Sequence, residues 1–399
     1  MHRPTSFRYV SSPARIIAGQ DALMHLGTEV ARTGARRAFV VCSRSIAQRT
    51  TLLERAQEVL GERYAGVFDG SQAESPLPAV EAGVAAARDA GADCIVAIGG
   101  GSVVVTARAI TILLAEAGSI FDLCTQYPPD RPPVSPRLLQ PKLPNVIVLT
   151  TPTTATNRAG AAVLDPARHR RLELFDPKTR PVAIFCDAAA LLTAPASLFI
   201  STAATTLVGV VGSLQSLDLN PFGEGDLLEA LRLLQEAMPR VLEAPQDPDP
   251  RIQLAVAALL SNRAADAGGG GGGGVVAALS HGLQARYEAV HQGAALSVLL
   301  APGMRFNRPV LREGQARLAE VLGVRRAGMG PEEAATAAVA AVEQLLRQVG
   351  LPLRLRDLGV PEADLEGLAT DAMQDFFLTM NPRPVRDRSE LLDVLRDAW

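Results

Sequence analysis

The stretch that most constrains this chain is a short apolar run ending in three glycines and a serine. It reads Cys94-Ile95-Val96-Ala97-Ile98-Gly99-Gly100-Gly101-Ser102, and residues with helical spacing follow from Val103 to Arg108. That order predicts a strand, a tight turn and a helix N-terminus. The first N–H groups of a helix have no intrahelical partner, and the helix dipole adds partial positive charge there. Glycines let a phosphate approach the backbone, so Gly99, Gly100, Gly101 and Ser102 form a candidate pyrophosphate cradle. The plain alternative is a glycine turn that only closes a βα unit. The stretch is not a G-x-G-x-x-G fingerprint, and no standard Rossmann reading follows from it.

Around this stretch the first half of the chain alternates. Strands are predicted at Arg37–Cys42, Ala65–Phe68, Asn145–Thr150 and Val182–Cys186, and helices at Ala22–Arg32, Thr51–Leu60 and Leu77–Ala90. A small hairpin is expected from Phe7–Val10 and Ala14–Ala18 around Ser11-Ser12-Pro13. This alternation implies a parallel sheet with crossover helices, whose ligands bind beyond the carboxyl ends of the strands. Ser43 and the three glycines fall at such ends. A proline-rich stretch, Tyr127–Pro144, reads as an ordered loop, lid or linker.

After Asp187 the strand signal stops. Helical spacing recurs over Ala196–Ser216, Asp226–Met238, Arg251–Asp266, Val275–Tyr287, Ala294–Arg305, Gly314–Leu322, Pro331–Val349, Glu362–Asp371 and Ser389–Ala398. Ser389 with Glu390 reads as the cap of the last of these. The expected organisation is an α/β dinucleotide-binding-like domain over residues 1–189 and an all-α domain over 190–399. The cleft between them is the default ligand site. Seven glycines, Gly268–Gly274, read as a flexible connector between helices or as a mobile wall of that cleft.

Composition narrows the function classes. The net charge of −3 argues against a general role on nucleic acid or a membrane surface. No uninterrupted apolar run of membrane-span length occurs, and no signal-peptide core is seen before Gly19. Cys42, Cys94 and Cys186 lie in apolar runs without paired spacing, which reads as buried reduced thiols in a cytoplasmic protein.

Further residues carry a resemblance. Phe7-Arg8-Tyr9 with Pro13-Ala14-Arg15-Ile16, the Gly99–Ser102 turn, Pro152-Thr153-Thr154, Asp187, and Asn381-Pro382-Arg383-Pro384 resemble the iron-containing alcohol dehydrogenase and dehydroquinate synthase superfamily, and within it maleylacetate reductases. The resemblance covers nearly the whole chain. It implies an N-terminal α/β domain that binds NADH or NADPH through the G-G-G-S turn, with Thr153, Thr154 and Ser43 nearby. It also implies a helical domain that usually holds a divalent metal.

The chain departs from that pattern where the metal belongs. An Asp and a His four apart on one helix are replaced by Thr205 and Gly209. The next ligand position falls near Ala277 or Ala278, and the last at His291 or Gln292. One histidine does not make a site that needs three or four ligands. Asp21, His25 and Glu29 on an N-terminal helix read as a solvated face. Asp165 and His169 sit among Arg168, Arg170 and Arg171, which would repel a cation. No metal site is expected. On the cofactor side, an Asp and a Lys of the pattern are replaced by Val105 and Arg108, and a Gly-Ser-Glu stretch by Asn157-Arg158-Ala159. Arg44 beside Ser43 would permit a 2′-phosphate or is a surface arginine.

The expected catalytic residues are therefore His281, His291 and Arg158. His281 matches a family histidine near the nicotinamide, and Arg158 could hold a carboxylate or phosphate. Tyr287 and Glu288 are the reserve acids. The expected function is a metal-independent NAD(P)H-dependent reductase of a small carbonyl or enone substrate, working as a homodimer. The alternatives are a non-redox cyclase, lyase or isomerase of specialised metabolism, or a ligand-binding partner subunit.

Overall fold

The computed structural model describes residues 6–128, 132–168, 170–266 and 273–399. It divides into two compact units. The first is Ser12–Pro195 with Gln246–Ala255. The second takes the chain up to Ser11, then Ala196–Pro245 and Val256–Trp399. The break in the middle of the chain thus falls at Pro195, a few residues beyond residue 189.

The first unit is an α/β layer structure. Its elements are β1 (Arg15–Gly19), α1 (Leu26–Arg32), β2 (Ala38–Cys42), α2 (Arg44–Arg49), α3 (Leu52–Leu60), β3 (Tyr64–Phe68), α4 (Leu77–Asp89), β4 (Cys94–Gly99), α5 (Gly101–Ala115), α6 (Ile120–Leu123), β5 (Asn145–Leu149), β6 (Gly160–Asp165), β7 (Arg170–Phe175), β8 (Ala183–Asp187) and α7 (Ala188–Leu192). Six strands form one sheet in the order β1-β8-β5-β4-β2-β3, parallel throughout. The four inner strands are buried at every position. Helices cover both faces of such a sheet, which is why these strands read as unbroken apolar runs. The core on one face gathers Val40, Val96, Val148 and Phe185 with Leu23, Leu26 and Leu60.

Two expectations fail here, and one element is new. Phe7–Val10 forms no strand. β1 pairs in parallel with β8 instead, and Tyr9 stacks on Phe222 with ring centroids 4.5 Å apart. The aromatic contact outweighs a turn that has only Ser11-Ser12-Pro13 to hold it. The segment after Asn157, for which no element is predicted, forms the antiparallel hairpin β6–β7. Its inward residues Ala161, Val163, Leu172 and Leu174 alternate with outward ones, a period-two signal. Glu29 is not on a solvated face. It is buried, with Arg15 and Arg32 each 3.3 Å away.

The second unit is helical, and no strand occurs in it among the described residues. It contains α8 (Ala196–Leu214), α9 (Pro221–Glu243), α10 (Pro248–Asp266, its first turns counted with the α/β unit), α11 (Val275–Arg286), α12 (Gln292–Val321), α13 (Pro331–Gln348), α14 (Leu365–Ala372) and α15 (Arg388–Ala398). Among the described residues only α8 is long and apolar enough to cross a membrane, and most of it is buried core. The two helices expected at Ala294–Arg305 and Gly314–Leu322 are one, continuous through Pro302 and Pro309. A Cβ on Gly293 would overlap the Ser201 carbonyl, and one on Gly314 the Gln215 carbonyl, both on or next to α8. Close packing on either side of the prolines keeps α12 continuous, and tertiary contact overrides the proline penalty. Asp387, not Ser389, caps α15, with Oδ1 accepting from the Ser389 N–H at 2.9 Å. Residues 268–272 of the glycine run lie outside the described residues.

Candidate active site

The sheet order brings the predicted cofactor residues of the α/β unit to one edge. β4 runs on to β5 on one side, whereas β2 runs on to β3 on the other. The order therefore reverses between β4 and β2, and such a switch point leaves a crevice at the strand ends. Register places Cys42 opposite Ile98 and Leu149 opposite Gly99. Ser43 thus emerges on one flank of the glycine turn, and Thr150–Thr154 on the other.

The turn itself is tightly shaped. Gly100 is the N-cap of α5, and its carbonyl takes the first helical bond from the Val104 N–H at 3.1 Å. The N–H groups of Gly101, Ser102 and Val103 come before that bond and point out of the helix end. A Cβ on Gly100 would stand 2.8 Å from Thr151 Oγ1, and one on Gly101 2.9 Å from Thr153 Oγ1. Only glycine lets these two hydroxyls lie against the backbone. Thr153 Oγ1 accepts from the Ala155 N–H at 3.1 Å, and Ser102 Oγ accepts from the Glu74 N–H at 3.2 Å. Each hydroxyl keeps its own proton to donate. Glu74 and Ser75 both hold positive φ, 60° and 54°, in the loop that delivers this bond. Non-glycine residues in that region cost energy and persist where the surroundings fix them. Thr154 lies half-buried in the same loop, and its carbonyl accepts from Arg158 Nε at 3.2 Å. Arg158 is exposed.

Arg108 replaces the lysine of the pattern and is wholly buried. It donates to the carbonyls of Gly160 (2.6 Å), Ala155 (2.8 Å) and Thr156 (3.0 Å). Burial, then the charges of Arg180 and Arg158, pull its pKa down to about 9. The side chain ties the Thr153–Gly160 segment to α5. It is a brace for the cradle, not a group that faces a ligand. Ser43 Oγ lies 2.8 Å from Ser45 Oγ at the start of α2, and Arg44 is exposed beside it. Asp187 is structural: its buried carboxylate accepts from the Leu23 N–H (2.9 Å) and the Ala190 N–H (3.0 Å).

In the helical unit His281 and His291 differ. His281 sits on α11, and its Nδ1 lies 2.8 Å from Asp375 Oδ2. The Phe377 ring meets the imidazole edge-on at 5.2 Å. His291 is the exposed N-cap of α12, and its side chain makes no capping bond. Tyr287 is no reserve acid. Its hydroxyl donates to Asp364, and burial together with that carboxylate raises its pKa to about 12. Sequence reasoning missed Asp375. The only available signal was an acid six residues before Asn381. Asn381 itself is a buried brace, with Oδ1 accepting from the Val275 N–H at 3.0 Å and Nδ2 donating to Asn307 Oδ1 at 2.8 Å. It pins the start of α11.

Residues 13–188 match the family model described as iron-containing alcohol dehydrogenase, and residues 199–399 the model for the C-terminal part of that family. The chain belongs to the iron-containing alcohol dehydrogenase family. It is an oxidoreductase by that membership. It is similar to the NAD-dependent methanol dehydrogenase of Bacillus methanolicus, 28% identical over 97% of this chain and 98% of the relative. A solved 1,3-propanediol oxidoreductase superposes with a TM-score of 0.88 at 25% identity, covering 99% of this chain and 100% of that one. The maleylacetate reductase of Rhizobium sp. strain MTP-10005 shares the fold, with a TM-score of 0.79 at 24% identity over 99% of each chain.

The resemblance assigns the metal to three helices of this chain. Thr205 and Gly209 stand one turn apart on α8, Ala277 and Ala278 are buried on α11, and His291 and Gln292 open α12. A hydroxyl, a bare backbone position, a methyl group and one imidazole are not a donor set for zinc or iron. Among the described residues no group of three His, Cys, Asp or Glu side chains stands together to hold a metal. The cysteines are free and buried, and burial pushes the thiols of Cys42, Cys94 and Cys186 up to about 12. Buried thiols held in the neutral form are poor nucleophiles.

Proposed function

We propose that this chain is a metal-independent NAD(P)H-dependent reductase of a small carbonyl or enone substrate. One observation carries the reading. The glycine turn, with Thr151, Thr153 and Ser102 ready to donate, fits a pyrophosphate, whereas the metal positions offer no donor set. The relatives named as NAD-dependent support the cofactor class. Ser43 and Arg44 at the end of β2 would meet the ribose and suit either cofactor form.

When held by the glycine turn, NAD(P)H would supply the hydride for the carbonyl carbon. The remaining task is to give the carbonyl oxygen a proton without a Lewis acid. His281 performs it: the Nε2–H bond breaks, the O–H bond forms, and the ring returns to neutral. Solvent restores the proton, since 41% of the side chain is exposed. Arg158 orients an anionic group of the substrate through its guanidinium.

Titrating the purified protein with NADH and NADPH, followed by nucleotide fluorescence, tests the cofactor half. Binding below millimolar concentration is expected, within the usual range for such ligands. Elemental analysis and EDTA treatment test the other half, with well under one zinc, iron or nickel per chain and no loss of activity expected. Failure to bind either nucleotide at millimolar concentration overturns the hydride reading in favour of a non-redox enzyme. Stoichiometric metal with EDTA-sensitive turnover overturns metal independence.

A further inference from the structure

Asp375 divides its two oxygens between two jobs. It is the N-cap of the 3-10 turn Phe376–Met380, where Oδ1 accepts from the Phe377 N–H at 2.8 Å. Its Oδ2 lies 2.8 Å from His281 Nδ1. Burial alone would raise the carboxyl pKa. The hydrogen bonds from His281 and the Phe377 backbone overcome that, and the pKa lies below the ordinary value. The group is an acceptor only, so the shared proton sits on the imidazole.

The turn has little freedom to move. The Phe377 carbonyl accepts from the Gly274 N–H at 3.0 Å, and the Leu378 N–H returns to the Asp375 carbonyl at 3.1 Å. The Phe377 edge abuts the ring. The carboxylate therefore meets His281 from one fixed direction. Other charged groups along α11 are already engaged: Asp371 with Arg286 at 2.7 Å, and Asp364 with Tyr287. Among the described residues Nε2 makes no hydrogen bond, and 41% of the His281 side chain is exposed against 19% of the Asp375 side chain.

We propose that Asp375 is a positioning residue for His281, holding a proton on Nδ1 in both charge states of the ring and leaving Nε2 as the atom that exchanges. The functional meaning rests on His281 being the proton donor proposed above. The placement of the proton is independent of it. The tautomer of a histidine is set by what its other nitrogen bonds to.

The test uses the full chain labelled with 15N-histidine and long-range proton–nitrogen correlation near pH 9, above the usual imidazole range of about 6.5. His281→Gln identifies the signals among five histidines. In the wild type Nδ1 should read as protonated and Nε2 as bare. In Asp375→Asn the carboxamide oxygen stays with the Phe377 N–H, and its NH₂ faces Nδ1. The ring must then carry its proton on Nε2, so the two nitrogen signals exchange character. A wild-type ring protonated on Nε2, or signals unchanged by Asp375→Asn, overturns the proposal. If that variant does not fold, the wild-type spectrum still decides.

The kinetic arm follows NADPH oxidation with lactaldehyde and maleylacetate as probes. Asp375→Asn should lower kcat at least about 100-fold, the lower bound for losing a general acid, with KM for NADPH within two-fold. An unchanged kcat overturns the positioning role. No turnover by the wild type with either probe counts against the hydride reading, and the spectra then judge Asp375 alone.

Discussion

The two units organise their polar groups in opposite ways. At the carboxyl edge of the sheet, polarity is distributed: Ser43, Thr151, Thr153, Ser102 and the first N–H groups of α5 each offer one weak donor. The shape is set by packing, above all by threonines that leave no room for a Cβ on Gly100 or Gly101. In the helical unit, polarity is concentrated. The α8 positions Thr205 and Gly209 and the α11 alanines offer no charge, and one imidazole is held by one carboxylate. A distributed site tolerates the loss of a single contact. A concentrated one does not. The difference also suits the proposed tasks, since a pyrophosphate would be held by many partial charges and a proton given by one atom.

That contrast can be broken most directly at His281. His281→Ala should lower turnover by about 10²–10⁴-fold, the usual cost of losing a general acid. His291→Ala, at an exposed cap with no bond to lose, should stay within a few-fold. Steady-state kinetics on the two variants decide it, and equal losses would mean that the helical unit is as distributed as the sheet edge. His281→Gln separates shape from proton transfer, since glutamine hydrogen-bonds but does not titrate.

The next effect belongs to the turn. Gly100→Val forces a β-branched carbon against Thr151 Oγ1 and tilts the first N–H groups of α5. Affinity for NADPH should fall by about 100-fold, equivalent to about 2.7 kcal/mol, measured by fluorescence titration. Thr153→Ala, which removes one donor among several, should cost ten-fold or less. If the threonine variant is the more severe, polarity at the sheet edge is not shared as described.

What was legible in the sequence follows the same division. The buried strands announced themselves, because a sheet covered on both faces needs unbroken apolar runs, and the glycine turn stood out for the same local reason. The β6–β7 hairpin did not, since Gly160–Asp165 and Arg170–Phe175 alternate weakly and lie among charges. α12 was divided on paper at Pro309, because the glycine contacts with the Ser201 and Gln215 carbonyls that hold it together are non-local. His281 could be singled out only by resemblance. Asp375 had only its spacing from Asn381 to mark it, as its partner lies 94 positions away. The burial of Arg108 was likewise invisible: an arginine in a helix reads as surface until the carbonyls of Ala155, Thr156 and Gly160 are seen to surround it.

The smallest effect concerns how α11, and with it His281, is held. Asn381 belongs to the Asn-Pro-Arg-Pro run that carried the family resemblance, and its side chain is buried among protein partners. Its Oδ1 caps the first N–H of α11 at Val275, its amide exchanges hydrogen bonds with Asn307, and its Nδ2 also reaches the Arg383 carbonyl at 2.6 Å. Gly274, with φ of 79°, packs against the same side chain. Asn381→Ala removes a cap and strands the amide of Asn307. Losing a cap costs about 0.5–2 kcal/mol, and the buried amide places this case at the upper end. A loss of about 2 kcal/mol should lower the melting temperature by roughly 4–8 °C, at about 2–4 °C per kcal/mol for a domain of this size. Affinity for NADPH should stay unchanged, because the glycine turn is shaped within the other unit. A variant that melts normally would show that the Asn381 cap is dispensable. One that loses cofactor binding while melting normally would show that the run contributes to the ligand site, and the separation of roles between the two units would then have to be redrawn.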